Sequence, residues 1–207
     1  MKAHIRGLSC LLIGVIMSTQ TNDHLVLIGG KSASGKSASL MNIDKPEGVM
    51  YLGTEAGKKL PFRSKFKEYN VIDPIQVFEG FEVAETLPEI HTIVVDSLTF
   101  LMDQYESIYV INSSNTMRAW GDYAQYFKKL LQHYVAKSTK NVIFTAHTSD
   151  VMNEGEMIME TKVKLKGSIM NQGAESYFSV VLASKKMQVK KLKDYQNDLL
   201  VITPEEE

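Results

Sequence analysis

Residues Leu25–Leu40 read LVLIGGKSASGKSASL. Four apolar residues run into Gly29 and Gly30, and a second glycine, Gly35, stands directly before Lys36 and Ser37. Gly30–Ser37 satisfies G-x-x-x-x-G-K-[ST] in full, behind an apolar strand and ahead of a helix start, which is the context the pattern requires. The glycines let the chain wrap closely, so that successive amide N–H groups and the following helix N-terminus converge on a phosphate chain. The cradle consists of Gly30, Lys31, Ser32, Ala33, Ser34, Gly35, Lys36, Ser37 and Ala38. Lys36 adds charge at the terminal phosphates of a nucleoside triphosphate, and the Ser37 hydroxyl ligates magnesium. A ligand-free Ser/Gly turn is the bland alternative, and the strand in front of it argues against that.

At 207 residues and 44% hydrophobic, the chain is long enough for one well-buried domain. Its net charge of -1 provides no global basic field for nucleic acid, so any polyanion has to be met locally. The single cysteine, Cys10, excludes an internal disulfide and a cysteine metal cluster, and it fits a reducing compartment such as the cytoplasm. Residues 1–23 form a separate segment ahead of the domain at 24–207. Its opening, MKAHIRGLSCLLIGVIM, imitates a secretory leader but lacks a small-x-small cleavage site. Its apolar run of about ten residues is half of what a bilayer span needs, so no membrane role is expected. Two readings remain: an element that packs on the domain or on a neighbouring subunit, or sequence upstream of a true start at Met17.

Short apolar runs bounded by turn residues recur at Leu25–Ile28, Gly48–Leu52, Ile75–Phe78, Thr92–Val95, Asn141–Ala146 and Tyr177–Leu182, with a further strand at Leu199–Ile202. Such runs suit strands buried on both faces of a mainly parallel sheet. Between them, Trp120, Tyr123, Phe127, Leu130, Leu131 and Tyr134 fall at three- and four-residue steps, which predicts an amphipathic helix. The fold class expected is therefore α/β, a P-loop nucleotide-binding domain with a mainly parallel central sheet flanked by helices. Two stretches, Tyr105–Thr116 and Asp150–Ser168, fit neither period and are read as irregular loops at the ligand-binding edge of the sheet.

The hydrolytic partners of a phosphate loop are legible by position. Thr92–Ser97, TIVVDS, places Asp96 at the carboxyl end of a strand, where a second magnesium ligand belongs. Glu55, in VMYLGTEAG, closes the strand-like run after the phosphate loop and is placed to orient an attacking water as general base. An ordinary turn aspartate and a solvated rim glutamate are the competing readings.

In order, GGKSASGKS, YLGTEAG, TIVVDSLTFL, NVIFTAHTS and GSIMNQGAESYFSVVLASKK resemble the RecA-like ATPase core, and more closely the small bacteriophage RecA-like proteins of single-strand annealing and recombination. The resemblance covers residues 25–186. It implies ATP and magnesium as ligands, Glu55 as catalytic base, and His147 as the residue that senses the γ-phosphate at the end of the fourth core strand. Cellular recombinases more often carry Gln at that position. It also implies single-stranded DNA as partner, assembly into a homo-oligomeric filament or ring, DNA-stimulated hydrolysis, and DNA-binding loops on the two irregular stretches. In the second of these, Lys162, Lys164 and Lys166 alternate with Val163 and Leu165, so an extended chain sets three cations on one face at a spacing that suits a sugar-phosphate backbone. A solvated strand edge is the plainer reading. Tyr105 and Tyr109 are the stacking candidates of the first loop. A cation acting across a subunit boundary would come from Lys185, Lys186, Lys190, Lys191 or Arg118.

Two other functions share the phosphate loop. A small-molecule kinase usually closes a lid with paired arginines, and this chain has only Arg6, Arg63 and Arg118. A non-catalytic ATP-binding module for a DNA-processing partner would not need the full set of Lys36, Ser37, Asp96 and Glu55.

Overall fold

The computed structural model describes residue 22 and residues 24–192. The N-terminal segment, Asn22 apart, and the strand expected at Leu199–Ile202 lie outside the described residues. Seven strands, β1 (Leu25–Gly30), β2 (Val49–Gly53), β3 (Lys67–Asn70), β4 (Thr92–Asp96), β5 (Asn141–Asn153), β6 (Ile158–Val163) and β7 (Val180–Ser184), form one sheet. Their order is β3-β2-β4-β5-β1-β7, every pair along that path is parallel, and β6 runs antiparallel to the outer half of β5. The helices are α1 (Ile75–Thr86), α2 (Leu98–Tyr105), α3 (Thr116–Lys129), α4 (Ser168–Gln172) and α5 (Val189–Leu192).

Period-two burial splits the core across the sheet. Leu25 and Leu27 of β1 join Phe144, Phe81 and Phe127 beneath α1, α2 and α3, whereas Ile28 joins Leu40, Val49, Tyr51, Phe66 and Val94 on the opposite face. The helical stripe forecast around Phe127 is present: Tyr123, Phe127, Leu130 and Leu131 are buried along α3 and the π-helical turn Leu130–Val135 that continues it. Burying each such side chain is worth on the order of 1.5–3 kcal/mol. Asn115 caps α3 by accepting from the Arg118 N–H at 3.0 Å.

Several local expectations are corrected. Ile75–Phe78 begins α1 rather than a strand, because Asp73 Oδ1 accepts from the Ile75 N–H at 2.9 Å and Val77, Phe78, Phe81 and Ala84 then fall on one buried helical face. Tyr105–Val110 is helical, α2 passing into a π turn at Glu106–Val110. Asp150–Ser168 is largely a hairpin: β5 continues to Asn153, β6 returns in register, and Asp150 pairs with Thr161. The phosphate loop opens only a short 3-10 turn, Ala38–Leu40, with Ser37 as its cap. On that face Leu40, Leu60, Phe62 and Phe66 cover the sheet in place of a long helix. Among the described residues, no helix is long and apolar enough to cross a membrane.

Candidate functional site

The sheet order brings the carboxyl ends of β1, β5, β4 and β2 side by side, and with them the segments that begin at Lys31, Thr148, Ser97 and Thr54. The phosphate loop leaves β1 at Gly30, where a Cβ would stand 2.4 Å from Ser34 Oγ and 2.5 Å from the Ser184 carbonyl oxygen, so no larger residue fits this wrapped conformation. Gly35 has a φ of +99°, which suits glycine. Ala33 also has positive φ, at 56°, a costlier position for a residue with a Cβ. Ser184 Oγ ties the loop to β7 by donating to the Ser34 carbonyl at 2.7 Å. The Lys36 ammonium folds back over the loop and donates to the carbonyls of Gly30 at 3.0 Å and Lys31 at 2.9 Å. Burial lowers its pKa, opposed by the nearby Glu55 and Asp96 carboxylates.

Ser37 and Asp96 meet directly: Ser37 Oγ donates to Asp96 Oδ2 at 2.7 Å. Asp96 is buried, and two residues that sequence reasoning missed complete its shell. Tyr51 OH donates to the same Oδ2 at 2.8 Å, and Thr145 Oγ1 donates to Oδ1. A hydroxyl and a carboxylate side by side are hard oxygen donors of the kind magnesium takes alongside substrate phosphates and water. The residues present therefore fit the ion. Among the described residues there is no group of three or more His, Cys, Asp and Glu side chains that could hold a metal by themselves.

Glu55 follows Thr54, whose backbone N–H donates to the Asp96 carbonyl at 2.8 Å and whose Oγ1 both donates to the Ser97 carbonyl and accepts from the Ser97 N–H at 2.8 Å. Gln104 from α2 pins the same turn by donating to the Thr54 carbonyl at 2.9 Å. The Glu55 carboxylate lies 3.3 Å from His147 Nε2 and 2.5 Å from the Lys58 ammonium. His147 is fixed in turn by its backbone N–H on Thr99 Oγ1 at 3.0 Å and by the Phe100 ring against its imidazole. Lys36, Ser37, Asp96, Glu55 and His147, expected from four separate stretches, thus converge.

The model of one protein family, the AAA domain, matches residues 23–190. The chain belongs to the AAA domain family. No curated protein matches it. Both the match and the mainly parallel sheet make this AAA domain a P-loop NTPase of the ATPase type.

Other expected residues lie outside the centre. In this AAA domain, Val163 and Leu165 point into the core while Lys164 and Lys166 are exposed and Lys162 half-exposed. Lys162 pairs with Glu160 at 2.6 Å, and Lys166 pairs with Glu106 and, at 3.5 Å, with Asp103. Those carboxylates raise both ammonium pKa values. Tyr105 packs against Tyr126 and Tyr109, and Tyr109 donates to Asp73, so the first ring is spent on the fold. A cavity of about 550 Å³ opens on the far side of the phosphate loop, between Lys31, Val181 and the hairpin residues Thr148 and Asp150. It does not include Lys36, Asp96 or Glu55, so the convergence of side chains, and not the volume of the void, identifies the site.

Proposed function

We propose that the chain is a magnesium-dependent ATPase whose turnover is coupled to single-stranded DNA in recombination or annealing of the bacteriophage type. The convergence of Lys36, Ser37, Asp96, Glu55 and His147 on four neighbouring strand ends carries the ATPase half. Lys36 exchanges the carbonyls of Gly30 and Lys31 for phosphate oxygens. Ser37 and Asp96 hold magnesium, which neutralises charge on the β- and γ-phosphates when bound. Glu55 orients a water in line with the γ-phosphorus and takes its proton as the new P–O bond forms and the bond to the ADP oxygen breaks. His147, in contact with that carboxylate, responds to whether Glu55 is engaged.

The DNA half rests on the likeness to RecA-like proteins and on one hydrogen bond. The Lys164 N–H donates to the His147 carbonyl at 2.8 Å, so the lysine stretch begins against the residue that touches Glu55. Single-stranded DNA has to displace Glu160, Glu106 and Asp103 from two of the three lysines, and each phosphate the lysines neutralise makes binding weaker as salt rises. Assembly into a filament or ring belongs to the same reading, with exposed Lys185, Lys186, Lys190 or Arg118, or Lys191, as the cation lent to a neighbour's phosphates.

The experiment is magnesium-dependent ATP hydrolysis with and without single-stranded DNA, at low and moderate salt, with Lys36→Ala as the blank. The expected outcome is turnover that DNA stimulates and salt suppresses. Turnover indifferent to DNA would remove the recombination half and favour a kinase or a regulatory module.

A further inference from the structure

Asp96 receives three side-chain donors, and two of them crowd a single oxygen: Ser37 at 2.7 Å and Tyr51 at 2.8 Å both donate to Oδ2. Tyr51 reaches that oxygen from an unexpected place. In the β2–β4 register it stands opposite Val94, and the residue opposite Asp96 is Gly53. Residues two apart on a strand share a face, so Tyr51 and Gly53 lie on the same side of β2. A Cβ on Gly53 would sit 3.2 Å from Tyr51 Cε1 and 3.8 Å from Cδ1, the first tighter than an ordinary contact. The side chain missing at Gly53 is therefore the space across which the Tyr51 ring leans to reach Asp96. Phe66 stacks beside the ring with centroids 6.4 Å apart, and the whole residue is 6% exposed. From this buried position the hydroxyl donates to Asp96 Oδ2.

We infer that Tyr51, through the gap left by Gly53, is the positioning residue of the magnesium site, holding Asp96 Oδ2 turned toward Ser37 and the phosphate loop. This rests on the reading that Ser37 and Asp96 hold magnesium. Without the phenol, Asp96 keeps one donor on each oxygen, Ser37 on Oδ2 and Thr145 on Oδ1, and loses the second donor that fixes where Oδ2 stands beside the phosphate loop. Outer-shell partners of this kind typically cost on the order of tenfold or more in metal affinity when removed.

The test is a titration of the full chain with magnesium in the presence of a fluorescent ATP analogue, repeated with manganese and read by paramagnetic resonance of the free ion. The variants are Tyr51→Phe, Gly53→Ala and the two combined. Tyr51→Phe should raise the half-saturating metal concentration about tenfold, with a far smaller change in nucleotide binding in EDTA. Gly53→Ala should do the same, and the double variant should be no worse than either single, since both act on one contact. A general packing role would instead lower melting and metal-free binding together. An unchanged metal curve in Tyr51→Phe, beside a metal-dependent wild type, overturns this inference and leaves the ATPase reading standing. A wild type that binds nucleotide with no dependence on metal overturns the reading of Ser37 and Asp96, and this inference with it.

Discussion

The rim at the ends of β1, β2, β4 and β5 and the hairpin of β5 and β6 are built on opposite terms. At the rim, buried polar groups hold one another: Asp96 has three donors, Thr54 joins two segments, and Lys36 sits on carbonyls, while Ser34 Oγ and Gln104 Oε1 are left without a partner. On the hairpin, charges are paired at the surface, Lys162 with Glu160 and Asp150 with Lys31, and apolar side chains stay in water, with Met157 and Met159 mostly exposed. Buried networks lose heavily when one member is removed, whereas exposed pairs lose little. Precision therefore belongs to the rim, and the hairpin is left with adaptable contact.

Substitutions can test that contrast directly. Glu55→Gln should depress turnover most, on the order of 10²–10⁴-fold, the range for loss of a general base, while ATP stays bound; single-turnover kinetics with labelled ATP would read both. Unaltered turnover would remove Glu55 from the chemistry and blur the distinction. Next in size, replacing Lys162, Lys164 and Lys166 together by Ala should weaken single-stranded DNA binding and flatten its salt dependence by about two in log–log slope, at ~0.7 per phosphate contact. The measurement is fluorescence anisotropy across a salt series, and an unchanged slope would place DNA elsewhere. The smallest effects are on stability. Thr145→Val, which strips a donor from buried Asp96, should cost about 1–3 kcal/mol in denaturant unfolding, and Lys162→Ala, at a surface pair on the hairpin, far less. The reverse order would contradict the comparison.

The same division explains what could be read from the sequence. β1, β2, β4 and the start of β5 were legible because buried parallel strands are short runs of Val, Ile and Leu with no polar face. β3, with the sequence KEYN, and β6, IMETKV, were not, because one is a polar edge strand and the other a half-solvated return strand. The run IQVF at residues 75–78 is too short for its period to separate strand from helix, and the side-chain bond from Asp73 decides it. Lys36, Ser37, Asp96 and Glu55 were legible because phosphate chemistry requires those residue types at strand ends. Tyr51 and Thr145 were hidden inside strands, where they read as ordinary β-formers. The one available signal was a glycine two residues past a tyrosine on the same strand face.

β5 has a further consequence. Its first seven residues, Asn141–His147, lie in the parallel sheet, and the same unbroken strand goes on to Asn153 as one arm of the hairpin. At about 3.3 Å per residue, the six residues past His147 project roughly 20 Å with no loop between them and the core. The hairpin is thus a stiff arm held at its root and tied again at Asp150, which accepts from the Lys31 ammonium of the phosphate loop at 2.5 Å. A shift of the phosphate loop therefore bears on the hairpin through Lys31 as well as through the strand at His147, and Glu154–Met157 at the tip lie beyond both points of attachment.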